Sequence, residues 1–217
     1  MDSNLNFLEA NFKSINDNTK KQIYKIAISG LTQNYIVGLV DMVDSSRIVN
    51  NLPMIKIMKY YEVFLNSMSE VLNKFDGYVI KNAGDSLIYC FPRKVKSNEK
   101  NNFRTCLECS LEMVNKHETI TAEIQKEELP CLNYRVSIDY GEMILMKSTR
   151  DSGIDLIGPP INRCAKINHG AKENSVVIGN EMYRMVKNFD DFYFKKVNGY
   201  SPNLGCEYPV YSVQRKN

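Results

Sequence analysis

The sequence predicts an α+β sandwich of the split-βαβ, ferredoxin-like kind, and three observations carry that expectation. Short β-branched runs such as YIVGLVDM (35–42) and SVVIG (175–179) alternate with long stretches whose apolar residues recur three and four apart. The elements run strand, helices, hairpin, helix, strand pair and a smaller β–α appendage, an order that lays helices on one face of a sheet. No repeat, low-complexity tract or linker interrupts the 217 residues, a length that suits one full core. One domain is therefore expected over residues 34–217, preceded by a short N-terminal helical extension over 1–33.

Each element has its own warrant. Residues 5–30 carry Leu8, Phe12, Ile15, Ile23 and Ile26 in loose helical spacing and read as one or two polar helices. YIVGLVDM is a buried strand that ends in an aspartate. SSRIVNNL opens a short helix with serines at its cap. Pro53 opens a long one to about Phe75, with Met58, Tyr61, Leu65, Met68 and Leu72 on one face, and Asp76-Gly77 ends it. GYVI (77–80) and SLIYCF (86–91) form a hairpin in which Gly84 allows the positive φ of a tight turn. Phe103 to about Lys126 reads as a second long helix, and residues 132–148 as two strands around Tyr140-Gly141. A helix from Pro159 or Pro160, the strand SVVIG, the short helix EMYRMVK and two strands, DFYFKKV and EYPVYSV, close the chain.

Composition narrows the function. Hydrophobic residues make up 43% and charged residues 24%, as in ordinary globular proteins. The net charge of +3 is too mild to argue for nucleic acid and would suit a small anionic substrate. The longest apolar run, YIVGLV, is strand-sized, so no membrane span is expected, and the polar start of the chain does not read as a secretory signal. A cytoplasmic location follows as the expectation. Six scattered cysteines include Cys106 and Cys109 in a C-x-x-C, which reads as two core residues on adjacent helical turns because nothing nearby completes a metal site.

The chemistry gathers at Asp41 and Asp85. Asp41 closes the first strand, and Asp85 opens the strand after the Gly84 turn. If the two strands are neighbours, both carboxylates lie at one edge of the sheet. Two unpaired carboxylates that close repel, so one is protonated or a cation sits between them. Hard divalent cations take such oxygens, and magnesium keeps positions open for phosphate.

At these residues the chain resembles the catalytic domain of the class III nucleotide cyclases, the adenylate and guanylate cyclases. VDMVDSS (40–46) is similar to the family's first metal motif and KNAGD (81–85) to its K-x-x-G-D. DLIGPPINRCAK (155–166) resembles D-x-x-G-x-x-V-N-x-A-x-R, and RVSIDYGEMI (135–144) the strand before it, R-x-G-I-x-x-G. The motifs fall in the family's order from about Tyr35 to Val213. The resemblance implies that Asp41 and Asp85, helped by the Met42 carbonyl, bind two Mg²⁺ or Mn²⁺ ions per active site. Lys81 and Asp155 fall on the positions that read adenine, the lysine donating to N1 and the aspartate accepting from the N6 amino group. Guanine would meet donor with donor and acceptor with acceptor. Asn162 falls on the residue that orients the ribose, Lys166 on the transition-state arginine, and Lys196, in preference to Lys195, on a triphosphate-binding lysine.

The implied function is an adenylate cyclase that turns ATP into 3′,5′-cyclic AMP and pyrophosphate by two-metal in-line attack of the ribose 3′-hydroxyl. The implied assembly is a head-to-tail homodimer with shared sites, in which Lys81 and Asp85 serve different pockets. Two departures stand out. Asp44 replaces a glycine and reads as a helix N-cap. Lys166 keeps the charge of the arginine without its planar fork. These departures motivate a rival reading, a nucleotide-binding regulatory module with weak or no turnover. A diguanylate-cyclase relative lacks support because no G-G-[DE]-E-F hairpin is present. His117 reads as helix surface and His169 as a helix C-terminus.

Overall fold

The computed structural model describes residues 26–91, 99–148 and 154–216. The strands are β1 (Ile26–Met42), β2 (Tyr78–Ala83), β3 (Ser86–Phe91), β4 (Tyr134–Ser148), β5 (Ile154–Ile157), β6 (Ser175–Gly179), β7 (Phe192–Lys196) and β8 (Val210–Arg215). They form one eight-stranded sheet in the order β2-β3-β1-β4-β6-β8-β7, with β5 paired to β4. Only the β4–β6 pairing is parallel among these, so β1 and β4 lie side by side at the centre of the sheet. The helices are α1 (Ser45–Val49), α2 (Met54–Lys74), α3 (Glu99–Asn115), α4 (His117–Lys126), α5 (Pro159–Asn168) and α6 (Asn180–Val186).

Period-two alternation sends β1, β3, β4 and β6 side chains to two different cores. Ile36, Val40, Tyr89, Val136 and Ile178 pack against α2, α3, α4 and α6 through Tyr60, Phe64, Met68, Leu107, Ile120 and Met182. The alternate residues Tyr35, Val37 and Ile88 face Met143, Leu156 and Cys164, and Val177 faces Ile167. Helix α5 therefore covers the opposite face of the sheet, where the sequence reading had expected helices on one face only. On the first face Gly38 lies beneath the Tyr89 ring. A Cβ at Gly38 would stand 2.1 Å from a ring carbon of Tyr89, whose hydroxyl meets Ser110 Oγ at 3.1 Å.

Several expectations need correction. Residues 26–33 are strand, not helix: β1 begins at Ile26, and its first half pairs with β4 from Ser148 back to Gly141. The expected helices before residue 26 lie outside the described residues. Strand β4 runs unbroken through Tyr140-Gly141, because β1 pairs with it on both sides of that point. The long helix expected over 103–126 starts at Glu99 and breaks at Lys116 into α3 and α4. His117 opens α4 half-buried rather than on its surface, with Nε2 2.9 Å from the Leu132 carbonyl. The ends of α2 are as the sequence indicates, with Pro53 at its N-cap and Gly77 N–H returning to the Leu72 carbonyl at 2.9 Å.

Candidate active site

The end of β1 and the β2–β3 turn bring Asp41 and Asp85 together. Gly84 takes φ +67° in that turn. Asp41 lies opposite Ser86, and the Met42 N–H donates to the Asp85 carbonyl at 3.4 Å. Ser86 Oγ donates to the Asp41 carboxylate, and Ser45 Oγ, at the start of α1, donates to that of Asp85. Burial pushes the Asp41 carboxyl above the usual carboxylate range and Asp85 adds to the rise, while the Ser86 hydroxyl, His169 and Arg135 oppose it. Arg135 is the cross-strand neighbour of Asp41 on β4, and His169 is the C-cap of α5. Ser45 and Ser86 lie close along the chain to Asp41 and Asp85, but each bonds the other aspartate's carboxylate, and strand pairing and the return of α5 bring Arg135 and His169 to Asp41 from distant positions.

The donor set suits a hard divalent cation. Each carboxylate has one oxygen engaged by a hydroxyl, leaving oxygens for a cation. Among the described residues no third His, Cys, Asp or Glu joins them in a cluster. A cation held here would keep most of its positions for water, a carbonyl or phosphate. Asp44 takes the N-cap position of α1 but makes no side-chain cap bond. It adopts φ 54°, a left-handed conformation that glycine fills most readily, and its carboxylate pairs with Arg47 at 3.2 Å.

Lys81 and Asp155 meet although their strands are not hydrogen-bonded neighbours. The Lys81 ammonium lies 2.6 Å from the Asp155 carboxylate, which also accepts the Leu156 N–H at 2.8 Å. The β4–β5 hairpin comes over to β2 to make this contact, and Leu156 and Met143 pack in the same apolar cluster as Ile80 and Ile88.

Asn162 and Lys166 lie on α5, which starts at Pro159-Pro160 after the extended Gly158. Both are exposed and line a cavity of about 1000 Å³ together with Gly158, Glu181, Glu207 and Tyr208. Asp41 and Asp85 do not line it. The Lys166 ammonium donates to the Asn203 carbonyl at 2.8 Å, and its own carbonyl accepts the Tyr200 hydroxyl. Lys196 is 3.5 Å from Glu207 and lines an adjoining cavity of about 300 Å³, while Lys195 and Lys196 both line a larger groove beside β7. Asp41 and Asp85 thus form one group, Lys81 and Asp155 a second, and Asn162 and Lys166 a third within this chain.

Behind α5 sits a charge cluster that sequence separation concealed. Asp139 on β4 is fully buried. It accepts Arg163 Nε, the Tyr208 hydroxyl at 2.8 Å and the Tyr140 N–H at 2.9 Å. Burial pushes its carboxyl up, and the contact with the Arg163 guanidinium opposes that rise.

Residues 29–205 match the model of the adenylate and guanylate cyclase catalytic domain. The chain belongs to that family. A cytidylate cyclase of Staphylococcus aureus is 24% identical to this domain in an alignment 174 residues long that covers 76% of this chain and 41% of that protein, so the chain spans less than half of that relative's length. Among solved structures, the adenylyl cyclase CyaB from P. aeruginosa superposes on the cyclase domain with a TM-score of 0.73 at 17% identity, over 86% of this chain and 97% of that one. The guanylate cyclase domain of RhGC from Catenaria anguillulae, solved with GTP, gives 0.73 at 12% identity over 86% and 100%. The class III cyclase fold is thereby shared with enzymes named for different bases. No described helix is long and apolar enough to cross a membrane.

Proposed function

We propose that this cyclase domain converts ATP into 3′,5′-cyclic AMP and pyrophosphate. The observation that carries the reading is the Lys81–Asp155 pair, a hydrogen-bond donor and an acceptor 2.6 Å apart. A base with a ring-nitrogen acceptor beside an amino donor can part them and satisfy both; guanine and uracil present the reverse pattern and leave both mispaired.

A specific observation favours a second reading. Cytosine presents N3 and its amino group in the same relation as adenine N1 and N6, and one relative of this domain is named a cytidylate cyclase. The polar pair selects an amino base, and the size of the base then separates ATP from CTP. ATP is the substrate we put first.

The chain's own residues divide the remaining work. Asp41 and Asp85 would hold Mg²⁺ or Mn²⁺, two ions per site, with the Met42 carbonyl as a further ligand. Such ions neutralise triphosphate charge and ease loss of the 3′-hydroxyl proton. Asn162 orients the ribose so that its 3′-oxygen lies in line with the α-phosphorus, and the leaving pyrophosphate departs from the opposite side. Lys166 faces the charge that develops there, once it exchanges the Asn203 carbonyl for a phosphate oxygen. Lys196, freed from Glu207, meets the triphosphate. The aspartates and Asn162 do not share one cavity of this chain, which suits a head-to-tail homodimer whose sites are each built from both chains. Free cysteines, four of them buried, suit a cytoplasmic setting.

The deciding experiment incubates the protein with ATP, CTP, GTP or UTP and Mn²⁺ and identifies the products. Cyclic AMP as the main product supports the first reading and cyclic CMP the second. Cyclic GMP or cyclic UMP as the main product overturns both.

A further inference from the structure

We infer that Asp139, Arg163 and Tyr208 form a positioning clamp that fixes Asn162 and Lys166, a role that rests on the cyclase reading above. The family motifs leave these positions open. Asp139 fills an unspecified place in R-x-G-I-x-x-G and Arg163 one in N-x-A-x-R. Asp139 is 0% exposed, and a carboxylate there persists only if it is fully compensated. Compensation comes from three directions. Arg163 Nε donates from α5, the Tyr208 hydroxyl from the segment between β7 and β8, and the Tyr140 N–H from β4 itself. The Arg163 fork also spans to the Tyr140 carbonyl through Nη2 at 3.0 Å, and its guanidinium lies 5.3 Å from the Tyr208 ring centre. The Tyr208 hydroxyl in turn accepts the Glu181 N–H at 3.2 Å, which adds the start of α6.

The arrangement joins α5, the start of α6 and the segment between β7 and β8, which all line the 1000 Å³ cavity, to one buried anion. Arg163 follows Asn162 directly, and successive helical residues turn by roughly 100°. Anchoring Arg163 to β4 therefore fixes the direction in which Asn162 leaves the helix. Lys166 sits one turn further on, and the segment that carries Tyr208 also carries Asn203 and Tyr200, its two partners. A lysine has a flexible stem and no planar fork, so its aim depends on how firmly its helix is held. The guanidinium that this chain lacks at position 166 is present at 163, turned inward to hold the helix.

Two variants of the full chain test the clamp without leaving Asp139 uncompensated. Arg163→Lys keeps the charge and loses the bridge to Tyr140; Tyr208→Phe keeps the packing and loses one donor. Both should remain folded by circular dichroism and still bind nucleotide, with kcat lowered about tenfold and KM within about twofold, since misplaced groups cost rate before affinity. In an Asn162→Ala background, Arg163→Lys should cost less than it does in the wild-type chain, because the part of its effect that passes through Asn162 is already gone. Hydrogen exchange gives a readout that needs no turnover: amides of α5 should exchange faster in both variants while those of α2 do not change. A kcat within twofold of wild type in both folded variants overturns the clamp, as does unchanged exchange across α5, or the same loss with and without Asn162. If the wild-type chain cyclises no nucleotide while α5 exchange still responds to both variants, the clamp stands as a fixation of α5 and the cyclase reading falls.

Discussion

Reversing the polarity of the Lys81–Asp155 pair should reverse its choice of base. The pair is half-open, with the side chains 45% and 27% exposed, so its own rupture costs only about 0.2–1 kcal/mol. That cost falls on every nucleotide alike and appears in KM, not in the ratio between bases. The ratio comes from mispairing. An oxo base sets a donor against Lys81 and an acceptor against Asp155, and each unsatisfied group costs about 1–3 kcal/mol when buried. Taking about 1–1.5 kcal/mol for each in this partly exposed place gives about 2–3 kcal/mol together, or about 30- to 160-fold in kcat/KM between ATP and GTP. Lys81→Glu combined with Asp155→Cys offers an acceptor to guanine N1 and a weak donor to its carbonyl, and should cut the ATP preference at least about tenfold. The assay is kcat/KM for ATP, CTP, GTP and UTP on both proteins. An unchanged ATP-to-GTP ratio refutes the reasoning, whatever happens to the absolute rates.

Four other expectations follow from the same geometry. Asp41→Ala or Asp85→Ala should abolish turnover while the circular dichroism spectrum stays that of the native fold; near-normal activity in both, with Mg²⁺ or Mn²⁺, removes them from the site. Asp41→Ala and Asn162→Ala chains, mixed under conditions where subunits exchange, should regain about a quarter of wild-type activity, because half the dimers are mixed and each carries one intact site. No recovery despite demonstrated exchange breaks the shared-site arrangement. Lys166→Arg should keep or raise kcat, and Lys166→Ala should lower kcat more than it raises KM; three equal rates would end its transition-state role. Finally, Cys131 and Cys206 are exposed whereas Cys90, Cys106, Cys109 and Cys164 are buried, with burial pushing the Cys90 thiol up to about 11 and that of Cys109 up to about 12. An aromatic disulfide reagent at about pH 8 should therefore titrate two thiols at once and the other four only on unfolding.

What could be read in advance was local. Gly84 and Asp85 announce a turn because the backbone conformation there excludes most residues. Pro159-Pro160 announce a helix start, and the spacing marks α2 as a helix, although its buried face runs through Tyr60, Phe64, Met68, Val71 and Leu72, with Tyr61 and Leu65 at its margin and Met58 exposed. The misreadings share a cause in long-range pairing. IAISGLTQN (26–34) has mixed polarity and no strand signal of its own; it is strand because β4 runs beside it. Tyr140-Gly141 resembles a turn, yet β1 continues past and holds it straight. The site divides in the same way. Asp41, Lys81, Asp85, Asp155 and Asn162 sit in motifs whose spacing is visible along the chain. Arg135, though it opens a visible motif, reaches Asp41 only through strand pairing, and His169 near Asp41 and Tyr208 on Asp139 are brought in by topology from distant positions that no motif or periodicity marks.

The ring of Tyr89 over Gly38 ties two distant positions into one choice of volume. Gly38 lies three residues before Asp41 on β1, and any side chain there meets the Tyr89 ring before it meets anything else. A methyl group at 38 must displace either the ring, which gives up its Ser110 contact, or the strand itself. Moving the strand moves Asp41. Substitutions at 38 should therefore survive only in company with a smaller residue at 89, so that two sites far apart in the chain drift together or not at all, and the position of the Asp41 carboxylate is exposed to changes in a residue that does not contact it.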